Sequence, residues 1–434
     1  MKRQTTALMM AAALLCSGAQ AQLLPGAVSQ LPGQVVGGVL SPLRGTPQTV
    51  GGIVDTLGLR TVDALDRVSL RDLRRARLEA LIRANRDVLE ADADGNPVRR
   101  GEIIAIDASP ALLDQVRAAG FPVLRESGLH DLGIRIHVLG VPKGDTVREA
   151  LKRLSRLAPD GQFEMNHVFE PAGGALIAVS KAMAASALPA ARPIGIIDGG
   201  VAAHPALSHA RITQRGFVQG APQASGHGTA IASLLVGKDG AFRGAAVGRS
   251  LLAADVYGGN PASGSAEAIS RAFGWLAASG AEVVNISLVG PPNRLLARAV
   301  EVSRQRGITI VAAVGNDGPA APAMYPASYP GVIAVTGVDA RNKALLEAGR
   351  AGHLDFAAPG ADMVAALPGE GYAKVRGTSF AAPLVAARFA AASGSSDARE
   401  RIVGAEAVPG RGKVGRGIVC KTCRNAPGDV LVKK

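Results

Sequence analysis

Apolar positions recur with two different periods along the chain, and the change of period marks its organisation. Leu70, Leu73, Leu78, Leu81, Ile82 and Leu89 fall near helical spacing among many arginines, which predicts an amphipathic helix over 69–89. Glu102–Ile106 reads as a strand, and Pro110–Ala119 as a helix stopped by Gly120. Phe121–Arg125 is a further strand, and Leu132–Leu139 alternates apolar and polar residues as a half-buried strand does. Thr146 with Glu149 forms a capping box that opens a helix to about Leu157, and Gln162–Val168 closes the series as a short strand. The order strand, helix, strand, strand, helix, strand is the split, ferredoxin-like pattern, so a small sheet with two helices on one face is expected.

From Pro193 onward, short apolar strands alternate with helices. Strands are predicted at 194–197, 250–256, 283–287, 308–314 and 332–335, and helices at 228–236, 265–279, 294–306 and 378–392. This alternation predicts a mainly parallel sheet with helices on both faces. The expected fold class is therefore α/β, a three-layer mainly parallel sheet preceded by a small α+β ferredoxin-like domain. Reactive groups in open sheets of this kind lie beyond the carboxyl ends of the strands.

The segments between these blocks have their own signatures. Lys2 and Arg3, an apolar stretch from Ala7 to Leu15 and the small-x-small run Ala19-Gln20-Ala21 read as a signal peptide over 1–21. The apolar stretch is too short to span a bilayer, and no uncharged run of spanning length follows it. Leu15 stands where a lipid-anchor signal at Cys16 would want a small residue. Residues 22–60 lack either period and read as a linker or disordered arm. The α+β domain is assigned to 61–170. Residues 171–190, low in charge and rich in Ala, Ser and Gly, read as a linker open to cleavage. The large α/β domain takes 191–395, and 396–434 reads as a basic tail.

Composition narrows the function classes. Of 434 residues, 47% are apolar and only 19% charged, which excludes wholesale disorder. The net charge of +13 is densest from Ser393 on, with 9 basic against 4 acidic residues. Those cations are not interleaved with aromatics and no nucleic-acid reading motif is present, so a solvated basic surface is the better reading. With Cys16 removed, two cysteines remain, Cys420 and Cys423. A local disulfide suits an exported chain. A redox pair lacks its strand-to-helix context, haem attachment would need His where Arg424 stands, and one dithiol is half a zinc site at most. Glu90–Gly95 resembles the start of a calcium loop, but Pro97 interrupts it and Gly101 stands where the bidentate Glu is needed. It reads as a polar turn, and no metal-ligand set is present.

Four segments carry candidate chemistry. Asp198 ends the strand 194–197 and is followed by two glycines. His227 sits between Gly226 and Gly228 at a helix start, and Ser379 sits in Gly377-Thr378-Ser379 at the start of a small-residue helix. Asn316 follows the buried strand that ends at Val314-Gly315. A hydroxyl is a weak nucleophile until a base takes its proton and a carboxylate orients that base, so Ser, His and Asp in one α/β domain point to nucleophilic catalysis.

Taken together, IGIIDGGVAAHPAL, GHGT, AAVGNDGP and GTSFAAP resemble the four signatures of the subtilisin-like (subtilase) serine peptidases, in that family's order. The resemblance covers about Pro193 to Phe389. It implies peptide-bond hydrolysis through an acyl-enzyme, with Asp198 orienting His227, His227 as base then acid, and Ser379 as nucleophile. Asn316 and the Ser379 N–H would form the oxyanion hole, one such donor being worth about 3 kcal/mol, a figure measured on subtilisin itself. Ser287, Leu288 and Gly290 resemble the family strand that pairs with substrate, one residue longer than its usual Ser-x-Gly. With Ala313 and Gly315 they would wall an uncharged pocket that prefers apolar residues. Gly199 stands where Thr or Ser is common. The resemblance also implies that 61–170 is an inhibitory, folding-assisting prodomain and that the precursor processes itself; no cofactor is expected, calcium entering by the family resemblance only.

The expected partners are polypeptide substrates and the chain's own prodomain, with no nucleic acid and no integral membrane segment once the signal is removed. The expected location is exported, periplasmic or extracellular. The readings from other classes are a non-catalytic binding protein on a peptidase scaffold and a basic surface- or nucleic-acid-binding protein.

Overall fold

In a computed structural model of the chain, the described residues are 67–173, 175–180, 192–369 and 371–431. The signal, Cys16, the arm at 22–60 and most of the linker at 181–190 lie outside them.

The chain opens on helix α1 (Arg67–Ala84), which ends earlier than the leucine spacing suggests because residues 85–88 turn into strand β1 (Leu89–Ala91). Strand β2 (Pro97–Ile106), helix α2 (Pro110–Ala118), strands β3 (Val123–Leu129) and β4 (Ile134–Gly140), helix α3 (Val147–Leu157) and strand β5 (Gln162–His167) follow in the expected order. All pairings are antiparallel; β4 lies between β2 and β3, and β5 pairs with β2. Thr146 and Glu149 close the capping box on α3 as expected. Alternation along β2 sends Ile103 and Ala105 toward α2 and α3, while Ile104 and Ile106 point to the opposite face. That second face does not meet water. It joins a buried cluster with Ile269, Phe273 and Leu276 of the following domain.

After strands β6 (Glu170–Pro171) and β7 (Ala175–Ser180) comes the large sheet. Its strands are β8 (Ile194–Asp198), β9 (Ile212–Gly216), β12 (Leu251–Asp255), β13 (Val283–Ile286), β15 (Thr309–Ala313), β16 (Ile333–Val338) and β17 (Phe356–Pro359). They are parallel throughout and ordered β17-β16-β15-β13-β8-β12-β9. A fully buried strand alternates between two apolar environments rather than between core and water. Ile196, Ala253, Val283 and Val311 face helices α4 (Gly226–Val236) and α7 (Thr378–Ala391). Ile197, Ala254, Val284 and Ile310 face α5 (Ala266–Ala278) and α6 (Arg294–Gln305). The result is the expected three-layer α/β sandwich. A hairpin of β10 (Lys238–Asp239) and β11 (Phe242–Arg243) and the short strand β14 (Leu288–Val289) lie outside this sheet.

Two segments differ from their reading. Within the linker expected at 171–190, β7 pairs with β19 (Gly371–Arg376), which also pairs with β18 (Met363–Ala366). Its run Leu176-Ile177-Ala178-Val179 has strand propensity that low charge alone conceals. Residues 396–431 are not a free tail. Helix α8 (Ser396–Ala405) is followed by Ile418 and Val419, both buried, and Val403 and Val419 belong to the α4/α7 core. Cys420 and Cys423 form the local disulfide, and Asn425 bridges Arg243 to Val364 before the final turn α9 (Pro427–Val430).

Candidate active site

Each candidate residue stands where an element begins or ends. Asp198 closes β8, is 1% exposed, and its Oδ1 accepts the Gly199 N–H at 2.8 Å. His227 is the second residue of α4, whose N-cap is Ser225. Its Nδ1 lies 2.8 Å from Asp198 Oδ2 and 2.9 Å from Oδ1. That contact needs the first turn of α4 to press on the turn after β8, and glycine permits it. A Cβ on Gly228 would stand 2.2 Å from Gly199 O, and one on Gly199 would stand 2.4 Å from Ser225 Oγ. The second distance leaves no room for a larger residue at 199 while Ser225 holds this position.

Ser379 lies in the first turn of α7, fully buried, beyond Gly377 at φ 146. Its backbone carbonyl accepts the Ser287 hydroxyl at 3.0 Å. Phe380, the next residue, places its ring 5.5 Å from the His227 ring. Ser379 Oγ and His227 Nε2 are both buried and neither makes a hydrogen bond. The structure therefore brings Asp198 and His227 into direct contact but leaves the Ser379–His227 bond unmade, a gap that closes in many enzymes only when the reaction geometry is reached.

Asn316 follows β15 and links the two sides of the site. Its Oδ1 accepts the Thr378 N–H at 2.9 Å, which fixes the orientation of the amide. Its Nδ2 donates to the carbonyl oxygens of Ala172 and Gly173. Those residues belong to the chain that leaves the small domain, so the chain's own segment fills the cleft. Ala172 N donates to Ser287 O at 2.7 Å, β6 runs antiparallel to β14 with Pro171 opposite Leu288 and Glu170 opposite Val289, and Phe169 N donates to Gly264 O at 2.8 Å. Phe169 is fully buried and packs against Gly290, where a Cβ would stand 2.4 Å from its ring. Ala172 shares a buried apolar cluster with Val289, Ala313 and Met324, and Gly315 turns at φ 88 beside Val289.

The subtilase family model matches residues 193–398. Over 202 residues the chain is 35% identical to subtilisin Savinase of Lederbergia lenta, covering 44% of this chain and 72% of that protein. The chain belongs to the subtilase family.

This subtilase is also 35% identical over 202 residues to an alkaline protease of Alkalihalobacillus alcalophilus, covering 44% of this chain but only 51% of that longer relative. Among solved structures, fervidolysin from Fervidobacterium pennivorans shares the fold, with a TM-score of 0.64 over 79% of this chain and 62% of that one, at 18% identity. The chain is thus a subtilisin-like serine peptidase of three-layer α/β fold.

Beside the pairing strand already named, two residues of the subtilase cleft, Gly264 and Tyr257, were not read from the sequence. Val289 holds the ladder position opposite Glu170, so the longer Ser-x-Gly run places Val289 in the pairing strand and Gly290 beneath Phe169. Gly264 supplies the opposite backbone partner, and its presence between Pro261 and the helix cap Ser265 was the available signal. Tyr257 donates its hydroxyl to Phe169 O at 3.0 Å. Burial, with Asp198, Glu170 and Asp255 nearby, holds that phenol well above its ordinary pKa, so it stays a donor. Among the described residues no group of three or more His, Cys, Asp or Glu side chains could hold a metal ion.

Proposed function

We propose that the chain is an exported serine endopeptidase made as a precursor that cuts itself between Ala172 and Gly173. The observation that carries this reading is the register of the chain in its own cleft. Ala172 N bonds to Ser287 O, and the Ala172 carbonyl oxygen meets Asn316 Nδ2, as the acyl residue of a substrate should. In this reading Ser379 Oγ attacks the Ala172 carbonyl carbon while His227 Nε2 takes its proton. Asp198, bonded to Nδ1, stabilises the imidazolium. The oxyanion is held by Asn316 Nδ2 and the Ser379 N–H. Collapse of the tetrahedral intermediate breaks the Ala172–Gly173 bond, and His227 returns the proton to the Gly173 amine. Water then hydrolyses the acyl-enzyme on Ser379.

The domain at 61–170 is assigned as the prodomain that inhibits until it is released. Its contacts support this role. Asn293, the N-cap of α6, donates to Met165 O at 2.9 Å, the Glu164 carboxylate accepts from Arg294 N at 2.9 Å, and Arg125 bridges Glu102 and Glu267. A carboxylate at a helix N-terminus is held by the free N–H groups and the dipole. The signal pattern at 1–21 supports export, and among the described residues no helix is long and apolar enough to cross a membrane. N-terminal sequencing of the enzyme recovered from the full-length chain should give Gly173 as the first residue. The Ser379→Ala precursor should stay uncut. Cleavage that survives Ser379→Ala sinks the assignment of Ser379.

A further inference from the structure

Helix α1 lies upstream of the ferredoxin-like module, and it reaches the cleft beside the reacting groups. Leu70 of α1 is 2% exposed, and a Cβ on Gly318 would stand 2.6 Å from its Cδ1, so the helix rests on the turn directly after Asn316. Two arginines of α1 meet Asp317 in that turn. Arg74 Nε is 3.2 Å from Oδ2 and Arg77 Nη2 is 3.0 Å from Oδ1. The same Arg77 guanidinium grips Glu170, with Nε 3.1 Å from Oε1 and Nη2 3.1 Å from Oε2. One nitrogen of Arg77 therefore touches both carboxylates. They lie no farther apart than its two hydrogen bonds allow.

Glu170 is the third residue counted back from the Ala172–Gly173 bond, and its backbone holds the ladder position opposite Val289. Asp317 belongs to the catalytic domain, and with α1 in place its side chain is only 5% exposed. Cutting after Ala172 and releasing residues before it removes α1, and with it both arginines. Asp317 then remains at the cleft wall without them. A carboxylate relieved of both arginines gains from a cation delivered to it, because hydrogen bonds between charged groups are stronger than neutral ones. The group that now fills this place is an arginine side chain, which shows that the space accepts a guanidinium.

We propose that Asp317 makes the mature enzyme select a basic residue, Arg above Lys, as the third residue before the cut bond. This rests on the register assigned above. A substrate arginine at that position carries its guanidinium to where Arg77 sits in the precursor, and the planar fork suits the carboxylate better than an ammonium does. A glutamate there meets Asp317 with no cation between them. The chain's own Glu170 is accommodated because Arg77, carried on the same prodomain, bridges the pair. Selection in this enzyme thus has an attractive and a repulsive element.

The test uses enzyme matured from the full-length chain and chromogenic peptides Phe-X-Pro-Ala-anilide, with X as Arg, Lys, Gln or Glu. Hydrogen bonds to a charged group predict kcat/KM about tenfold higher for Arg than for Gln, with Lys between them and Glu lowest. In Asp317→Asn the Arg-to-Glu ratio should fall to near one. If that variant does not mature, the wild-type ratio must itself shrink toward one as NaCl is raised to about 1 M. Equal rates for Arg and Glu, a ratio unchanged in Asp317→Asn or by salt, or an Arg advantage only at the residue next to the bond would each overturn the proposal. Failure of the register reading looks different: the Gln peptide would resist hydrolysis, or its hydrolysis would survive Ser379→Ala.

Discussion

Replacing Gly228 by alanine tests the contact on which the proposed relay depends. The added Cβ would stand 2.2 Å from Gly199 O and 2.8 Å from both Gly199 C and Gly200 O, against 3.4–4 Å for ordinary contact. All three atoms are backbone, so no side chain can swing aside. The first turn of α4 and the turn after β8 must separate by about 1 Å, and the Nδ1–Oδ2 distance of 2.8 Å must lengthen with them. A misplacement of that size costs about 10²-fold in rate. The expected result is a fall of that order in kcat on a chromogenic peptide, with KM little changed and self-cleavage slowed in parallel. Gly274 in α5 provides the contrast. Its added Cβ would come no nearer than 3.6 Å to another side chain. Gly274→Ala should keep wild-type kcat and raise stability in thermal melts by about 0.5–1 kcal/mol, because it removes a helical glycine. Activity within threefold of wild type for a folded Gly228→Ala enzyme would refute the reasoning.

Further outcomes are expected from the same geometry. Asn316→Leu should lower kcat by about 10²–10³-fold with little change in KM, a magnitude taken from subtilisin and not worked from this structure; single-turnover kinetics would show it. Phe169→Ala empties a fully buried aromatic site against Gly290 and should weaken closure of the cleft by about 3–5 kcal/mol, read as slower self-cleavage and a lower melting temperature of the Ser379→Ala precursor. Burial pushes the Glu102 carboxyl up, but the Arg125 guanidinium and the Asn166 amide more than offset this and hold it below its ordinary value. A carboxyl lowered in the folded state contributes stability above the ordinary glutamate pKa of about 4.3, lost as pH falls through the lower folded value. The melting temperature of the Ser379→Ala precursor should therefore drop on acidification below about pH 4, and Glu102→Gln should be less stable at neutral pH with a flatter acid slope. Parallel slopes for the two proteins would rule out Glu102 as a contributor.

Most helices and strands of both domains were legible because they carry a local period, and the GHGT and GTSFAAP segments were legible because their glycines and hydroxyls sit at element starts. Strands β9 and β17–β19 and helix α8 were not read. Their stability comes from partners far along the chain: β9 pairs with β12, β17 with β16, and β18 and β7 flank β19. Gly264 and Tyr257 meet the segment in the cleft only because β6 enters it, and no local pattern announces where a chain will return to itself.

Sequence alone determined the layer order, the parallel sheet, the family and the identity of the candidate reacting groups, since these follow from periodicity and from short segments whose chemistry is local. Tertiary structure decided which bond of the linker lies at Asn316, which face of the small sheet is buried, and that Arg77 joins Glu170 to Asp317 across 93 and 240 residues. Those are relations between segments distant in the chain, and pairwise contact energies act only once folding has closed the loops between them.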